Sequence, residues 1–557
     1  MDEQRIQAYL SLIQELLTCP GGEERRILGQ HSDLIDEGFF RVGAQVAQQL
    51  QEAGQEQKAQ FLMGLLAQLM DSEAQIGSET GVLGSSATPQ KYEQFLGEVL
   101  QAVSDSQSDP AIVYPLLANN LTKLNTTFIE TIQTFVQNNS TQNTVINLFD
   151  FGHLIQKFPL GQRALNLEIA IAIYNIALDF FPQTTSATAW AAIQNSLGLV
   201  YGERITGDRA DNIEKAISAY EAALQVYTRE AFLNQWATVQ NNSGLAYSSR
   251  IIGDRADNIE KAIAAYEAAL QVRTYEAFPE QWAMTQNNLG AAYGDRIRGN
   301  RAENLEKAIS AHEAALQVYT QAAFPQDWAM TQNNLGIAYR SRITGDRAEN
   351  LERAIAAYQE ALQVYTREAF PEQWAGTQNN LGNTSLDGIT GDRAENLEKA
   401  ITAYQEALQV YTREAFPEQW AGTQNNLGNT SLDGITGDRA ENLEKAITAY
   451  QEALQVYTRE AFPEQWAMMQ HNLGIGYSNR ITGDRAENLE RAIAAYQEAL
   501  QVYTREAFPE QWAMMQHNLG IGYSNRITGD RAENLERAIA AYQEALQVYT
   551  REAFPEQ

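Results

Sequence analysis

WAMTQNNLGIAYRSRITGDRAENLERAIAAYQEALQVYTREAFPEQ, residues 328–373, is one of a series of near copies that fill most of this chain. Each copy opens with a tryptophan, and each of the eight tryptophans lies 46 residues from the next. They are Trp190, Trp236, Trp282, Trp328, Trp374, Trp420, Trp466 and Trp512. A single helical hairpin cannot bury its apolar face, so a fixed period of this length predicts an all-α solenoid of stacked copies.

Each copy is predicted to form two helices joined by a tight turn. In this copy we expect helix A over about 328–342 and helix B over about 347–366, with Gly345 as the breaker between them. Asp346 is the predicted N-cap of helix B, and Glu349 at the third helical position predicts a capping box.

The apolar residues of helix B are spaced as one face of an α-helix. They are Leu351, Ala354, Ile355, Tyr358, Ala361, Leu362 and Tyr365. We expect this face to form the core of the hairpin. Glu349 and Arg353 are a predicted i,i+4 ion pair on the solvent side.

The pattern of small and aromatic residues resembles the tetratricopeptide repeat family. The residues that carry the resemblance, and that we assign to repeat packing, are Leu335, Gly336, Tyr339, Ala354, Tyr358 and Ala361. The resemblance implies a right-handed α-solenoid of helix-turn-helix units that binds protein or peptide partners.

The chain departs from that family in its unit, which has 46 residues where the usual repeat has about 34. The longer unit resembles the extended repeats of kinesin light chains, and more closely those of cyanobacterial proteins that carry a caspase-like CHAT domain. The segments 8–24, 91–100 and 113–120 resemble the leader of the latter proteins. No CHAT domain is recognisable in this sequence.

Five regions are predicted. They are a helical bundle over 1–75, a flexible Gly/Ser-rich linker over 76–90, a helical connecting segment over 91–143, a degenerate first repeat or cap over 144–189, and eight 46-residue repeats over 190–557.

Composition limits the function. A net charge of −30 argues against nucleic acid and anionic membranes as partners. The single cysteine, Cys19, predicts no disulfide framework, and with the lack of a signal peptide or membrane-spanning run it favours a cytoplasmic protein. No motif for catalysis, cofactor or metal occurs, so we expect a protein that is not an enzyme, with no cofactor and no metal site.

The predicted partner-binding residues form a ladder of asparagines, the second Asn of Gln-Asn-Asn in helix A. They are Asn242, Asn288, Asn334, Asn380, Asn426, Asn472 and Asn518. In related repeats helix A lines the groove, and an amide can match a peptide group without adding charge. The alternative is that these amides bond the neighbouring helix and fix the stacking of units.

The tryptophans, Trp236, Trp282, Trp328, Trp374 and Trp420 among them, are assigned to packing rather than to ligand stacking. Two arginine series are interpreted as ion pairs between units, with recognition of an acidic partner tail as the alternative. The first is Arg204, Arg250, Arg296, Arg342, Arg480 and Arg526; the second is Arg209, Arg255, Arg301, Arg347, Arg393, Arg439, Arg485 and Arg531.

Histidines are few. His471 and His517 replace the first Asn of the Gln-Asn-Asn run, directly before the ladder residue. His31, His153 and His312 are interpreted as packing or surface residues.

Copies 374–419 and 420–465 differ from the rest at the end of helix A. Ser385 and Ser431 replace the tyrosine there, and Gly388 and Gly434 replace the arginine. Glycine and a lost aromatic ring predict local flexibility or a widened groove.

The sequence therefore predicts a non-catalytic scaffold that holds protein or peptide partners in a groove lined by helix A. Two alternatives stay open. One is the regulatory arm of a caspase-like protease whose catalytic domain is absent or on another chain. The other is a self-assembling array, in which a second copy docks on the uncapped last repeat.

Overall fold

The computed structural model describes residues 3–18, individual positions between 27 and 66, and residues 89–139, 141–388, 391–434 and 437–549. Cys19 and most of the predicted linker, 76–88, lie outside the described residues. Within them the chain is all helical, as predicted, and no strand forms. It divides into two compact units, Met1–Thr320 and Gln321–Gln557.

The first unit begins with a small apolar core around helix α1, Glu3–Thr18, in which Tyr9 and Leu16 pack with Phe39 and Leu66. A second core follows, built by three helices and a short 3₁₀ turn against the first hairpin. These elements are α2 (Pro89–Asp105), α3 (Pro110–Ala118), the 3₁₀ turn (Leu121–Lys123) and α4 (Thr126–Asn139).

The rest of the first unit consists of helical hairpins in which each helix packs on the next. Their helices are α5 (Gln142–Lys157), α6 (Arg163–Phe180), α7 (Gln183–Glu203, kinked at Ser186), α8 (Arg209–Leu224), α9 (Leu233–Ser248), α10 (Arg255–Leu270), α11 (Pro279–Asp295) and α12 (Arg301–Ala315). The odd-numbered members of this set are helices A, and the even-numbered members are helices B.

The second unit repeats the same hairpin. Its helices are α13 (Pro325–Ser341), α14 (Arg347–Ala361), α15 (Pro371–Leu386), α16 (Arg393–Ala407), α17 (Pro417–Asp433), α18 (Arg439–Ala453), α19 (Pro463–Asn479), α20 (Arg485–Ala499), α21 (Pro509–Asn525) and α22 (Arg531–Leu546). Within each unit, helices A of neighbouring hairpins also contact one another, so they form a continuous layer.

Local sequence explains the hairpin turn. Gly345 has a φ of 77°, a conformation that glycine adopts without strain, and Asp346 caps helix B by accepting from the Glu349 amide at 2.9 Å. The reciprocal half of the predicted capping box does not form, because the Glu349 carboxylate pairs with Arg353 at 2.5 Å instead. That i,i+4 ion pair is the predicted one.

The predicted helix ends need correction. Helix A of this hairpin begins at Pro325 rather than near Trp328, because proline suits the first helical position. Helix B ends at Ala361 rather than near Thr366, since the Leu362 cap is followed by a tight turn in which Val364 N–H donates to the Ala361 carbonyl at 3.1 Å.

The two helices of a hairpin approach closely where a glycine faces an aromatic ring. A Cβ on Gly336 would lie 2.6 Å from Cε1 of Tyr358, so only glycine fits there without displacing the ring. The pairs Gly152–Tyr174 and Gly244–Tyr266 repeat this contact, and Gly290 faces His312 in the same way. The hairpin formed by α5 and α6 therefore shares this contact with the later ones.

Candidate functional site

The predicted packing residues lie inside the hairpins. Leu335, Gly336, Tyr339, Ala354, Tyr358 and Ala361 are all buried. Of the tryptophans, Trp328 is buried, whereas Trp236, Trp282, Trp374 and Trp420 are half-buried at the hairpin entrance. Trp374 packs against Ala375, Ala407 and Tyr411.

The exposed face of the helix A layer carries apolar residues at recurring positions. In the first unit they are Leu245 and Met284; in the second they are Met330, Ile337, Met468 and Ile521. Exposed apolar side chains at these positions, beside a row of amides, are suited to holding the side chains of an extended ligand.

The asparagine ladder joins neighbouring hairpins. In the first unit Asn242 Nδ2 donates to Asn195 Oδ1 at 3.2 Å, and Asn288 Nδ2 donates to Asn241 Oδ1 at 3.4 Å. In the second unit the donors and acceptors are Asn380 and Asn333 (3.2 Å), Asn426 and Asn379 (3.4 Å), and Asn472 and Asn425 (3.0 Å). Asn518 donates to His471 Nε2 at 3.0 Å, and Asn334 is half-buried at the same position of its hairpin.

A threonine one turn earlier reinforces the ladder, since Thr377 Oγ1 lies 3.3 Å from Asn333 Oδ1. The amides thus do take part in stacking, the alternative that the sequence left open. The amides keep unused hydrogen-bonding groups: within the described chain, the side-chain Oδ1 atoms of Asn288, Asn380 and Asn426 accept no hydrogen bond. These oxygens can still receive N–H groups from a ligand.

The first arginine series forms the predicted ion pairs between hairpins. Arg250 Nε and Nη2 donate to the two carboxylate oxygens of Glu214 at 2.6 and 2.8 Å, and its Nη1 donates to Asn258 at 3.3 Å. The bond from Arg250 holds the pKa of the Glu214 carboxyl below its usual value. The same pair recurs as Arg204–Glu168, Arg296–Glu260, Arg480–Glu444 and Arg526–Glu490.

The second arginine series caps helix A. Arg209 Nη1 donates to the Gly202 carbonyl at 2.6 Å, and Arg485 Nη1 donates to the Ser478 carbonyl at 2.5 Å. These bonds satisfy carbonyls that the helix end leaves without a partner. Ion pairing is secondary in this series, as in Arg255–Asp295 at 3.3 Å.

The two divergent hairpins lack this arginine–glutamate pair, although Asp387 of the first accepts from Arg340 Nε of the preceding hairpin at 2.9 Å. Gly388 and Gly434 replace its arginine, and in the described chain Glu352 and Glu398 on the preceding helices B are exposed and form no ion pair. Ser385 replaces a tyrosine whose counterpart Tyr293 donates to Glu267 at 2.6 Å. The turns at 389–390 and 435–436, part of the predicted flexible segments, lie outside the described residues.

The sequence did not predict a large cavity in the first unit. It has a volume of about 1060 Å³ and lies along the exposed faces of helices A α5, α7 and α9. Phe149, Leu199 and Thr238 line it, together with His153 and Asn195. The position of this cavity on the helix A layer makes it part of the predicted groove.

His153 is exposed to solvent, yet the surrounding walls desolvate its imidazole. This desolvation and the nearby Lys157 lower its pKa to about 4, so the ring is neutral near pH 7. Its Nε2 lies 2.9 Å from Ser196 Oγ, which itself donates to the Ala192 carbonyl at 3.1 Å, so the imidazole is the donor. Nδ1 then carries no proton and can accept a hydrogen bond from a ligand.

Further polar groups line one end of the cavity. Arg163 and Glu203 form an ion pair at 2.5 Å, whereas Lys157 has no ion pair within the described chain. Asn166 is 1% exposed and its Oδ1 accepts no hydrogen bond, because Phe158 occupies the position of the arginine that later hairpins provide.

A buried arginine adjoins the opposite end. Arg273 is 5% exposed; its Nη1 donates to Thr285 Oγ1 at 2.9 Å and its Nη2 to Thr238 Oγ1 at 3.2 Å. Thr285 in turn lies 3.1 Å from Asn241 Oδ1, so the guanidinium is connected to the asparagine ladder. Desolvation lowers the pKa of Arg273 to about 10, and it stays charged near pH 7.

In the part of the chain that the structure describes, no helix combines the length and apolarity that crossing a membrane requires. The same residues contain no group of three or more His, Cys, Asp or Glu side chains placed to hold a metal ion.

Comparison with known proteins supports the repeat assignment. The tetratricopeptide repeat family matches residues 282–318 and 328–368. No curated protein sequence matches the chain.

Several solved helical structures are similar over most of the chain, at low identity. The apo form of RapI is 12% identical, with 73% of this chain and 97% of that chain covered and a TM-score of 0.44. The human IFIT1 dimer is 14% identical, with 83% and 95% covered and a TM-score of 0.37. The Rap regulator of plasmid pLS20, solved with the Phr* peptide, is 15% identical, with 68% and 95% covered and a TM-score of 0.35.

The tetratricopeptide repeat model thus matches one hairpin of each unit, and the neighbouring hairpins repeat that sequence with the same period and packing.

Proposed function

We propose that this protein is a non-catalytic interaction scaffold that holds extended peptide segments along its helix A layer. The observation that carries the proposal is the asparagine ladder. Asn288 and Asn380 each donate one amide N–H to the neighbouring hairpin, and in the described chain their side-chain Oδ1 atoms accept no hydrogen bond. A peptide backbone supplies both an N–H for this oxygen and a carbonyl for the second amide N–H.

The apolar positions beside the ladder support the same use. Met330 and Ile337 are 39% and 44% exposed on helix α13, on either side of the half-buried Asn334. Methionine adapts its shape to different side chains, so this surface favours apolar residues in a ligand without selecting one shape. Repetition of the site over successive hairpins would add avidity for a long or repetitive partner.

The proposal is tested with peptides selected from a random display library on the intact protein. Asn288→Ser and Asn380→Ser are suitable variants, because Ser196 occupies the same position in another hairpin and the fold accepts it. We expect each variant to weaken the binding of a selected peptide about five- to ten-fold, which is the effect of one or two lost hydrogen bonds.

Glu352→Gln on helix B is the matched control, because this carboxylate is exposed and outside the helix A layer. Circular dichroism establishes that each variant is folded. Selected peptides that bind all variants with wild-type affinity would overturn the proposal. Regulation of a caspase-like protease, self-assembly through a second copy, and a cytoplasmic location stay predictions from the sequence.

A further inference from the structure

We propose that the cavity along α5, α7 and α9 is a subsite for a carboxylate-bearing, acidic peptide segment, with Arg273 and Lys157 as its cations. This inference rests on the proposed function and names the chemistry of the partner at one end of the groove.

Arg273 is the exception in a series of tyrosines. The equivalent residue is Phe181 in the first hairpin and a tyrosine in the others: Tyr227, Tyr319, Tyr365, Tyr411, Tyr457, Tyr503 and Tyr549. Tyr227 and Tyr503 donate to backbone carbonyls at 3.1 and 3.2 Å, a bond that a neutral hydroxyl makes without bringing charge into the core. The fold therefore accepts tyrosine here, and nothing in the hairpin requires a cation.

The guanidinium is buried without a counterion. Its hydrogen-bond partners are the neutral hydroxyls of Thr285 and Thr238, and no carboxylate of the described chain pairs with it. Burial of an ion without an opposite charge is unfavourable. In a chain of net charge −30, where acids outnumber bases, such a cation is an unusual feature.

The cation lies directly behind the cavity wall. Thr238 lines the cavity, and its Oγ1 accepts from Arg273 Nη2 at 3.2 Å, so a single hydroxyl separates the guanidinium from the cavity. An anion beside Thr238 would be attracted through a wall of low polarisability, where charges interact more strongly than in water.

The charged groups that line the cavity add up to a net positive charge. Arg163 and Glu203 neutralise each other at 2.5 Å, Lys157 has no ion pair in the described chain, and His153 is neutral near pH 7. The cavity thus presents a net positive charge. Phe149 and Leu199 make part of the cavity surface apolar, which favours a ligand with an apolar side chain next to its carboxylate.

The experiment uses the full chain and two fluorescein-labelled peptides, one of alternating leucine and glutamate and one of alternating leucine and glutamine. Binding is followed by fluorescence anisotropy at constant ionic strength. We expect the acidic peptide to bind at least ten-fold more tightly than its glutamine counterpart, in line with a charge-assisted hydrogen bond or two.

Two variants distinguish a specific effect of Arg273 from a general effect of positive charge. Arg273→Tyr introduces the residue of the other hairpins, and Arg298→Thr removes one exposed positive charge elsewhere in the unit, where Thr206 is the equivalent residue. Arg273→Tyr should weaken binding of the acidic peptide about ten-fold and leave binding of the glutamine peptide unchanged. Arg298→Thr should change neither affinity.

Equal affinity of the two peptides for the wild-type protein, or equal losses in the two variants, would overturn the subsite. Failure of the acidic peptide to bind would also overturn it. The proposed function fails separately, only if library peptides bind without regard to the asparagine ladder.

Discussion

Nδ2 of Asn518 lies 3.0 Å from Nε2 of His471, so an imidazole takes the place of the amide oxygen that accepts this bond in neighbouring hairpins. Nε2 can accept only while it carries no proton. Desolvation lowers the pKa of His471 to about 4, which keeps the ring neutral in the folded chain.

This bond predicts an acid-sensitive contact. Because the folded pKa is below the ordinary value of about 6.5, the unfolded chain binds more protons between pH 6.5 and 4. The stability contributed by His471 is complete above pH 6.5 and is lost as the pH falls toward 4. His471→Asn, which restores the usual amide, should lessen that loss in urea unfolding measured across this range. Parallel pH curves for the two proteins would contradict the assignment.

The Gly244–Tyr266 contact predicts a steric effect of a single methyl group. A Cβ on Gly244 would lie 2.6 Å from the Tyr266 ring, so Gly244→Ala should destabilise the first unit by about 1–3 kcal/mol. Gly294→Ala is the control, because no atom lies within 4 Å of its added Cβ; there alanine should stabilise the helix by about 0.5–1 kcal/mol. Thermal unfolding that ranks the two variants in the reverse order would argue against this packing.

The interhairpin ion pairs predict that equivalent glutamates differ in importance. Glu444 pairs with Arg480 at 2.7 Å, whereas Glu398, one hairpin earlier, has no ion pair in the described chain. Glu444→Gln should cost about 0.5–1 kcal/mol in urea unfolding, and Glu398→Gln should change stability by less than about 0.3 kcal/mol. Equal effects would show that the ion pair does not stabilise the stack.

The same comparison predicts where the second unit opens most readily. Helices α15 and α17 lack both the arginine–glutamate pair and the tyrosine bond to the preceding hairpin, which α19 makes through Arg480 and Tyr477. Asp387 at the end of α15 pairs with Arg340 at 2.9 Å instead, so α17 should open more readily than α15. Amide hydrogen exchange at the ends of α15 and α17 should be about ten-fold faster than at the end of α19. Equal exchange rates would contradict the predicted mid-array flexibility.

Arg273 predicts a conflict between stability and binding. Arg273→Tyr removes a buried cation that no carboxylate of the described chain pairs with, so thermal unfolding should show a stability gain of about 1 kcal/mol even as the affinity for the acidic peptide falls. A less stable variant would mean that the hydroxyl bonds to the guanidinium more than offset its desolvation.

Much of the hairpin could be predicted from the sequence. The 46-residue period, the apolar face of helix B and the Asp346 cap depend on residues near one another in the chain, where helical geometry sets the contacts. The sequence also predicts that the first arginine series pairs with acidic residues of a neighbouring hairpin. It does not identify the partner, which is a glutamate 36 residues earlier.

The cavity could not be predicted, because it depends on residues from three hairpins. The sequence around His153 indicates only an isolated packing or surface residue, and the hydrogen bond from Arg273 to Thr238 spans 35 positions. One signal was present in the sequence: Arg273 interrupts a series of tyrosines at a fixed position of the repeat. The ladder bonds likewise join residues 47 positions apart, so the amides' share in stacking became evident only in the structure.

The central claim, that peptides bind along the helix A layer, is tested most directly by methyl NMR of ¹³C-labelled methionines with a library-selected peptide. Met330 and Met468 are exposed on this layer, whereas Met469 and Met515 are fully buried and serve as internal controls. The account predicts shifts of the exposed methionine methyl resonances on titration, with the buried ones unchanged. Binding that leaves Met284, Met330 and Met468 unshifted would contradict it.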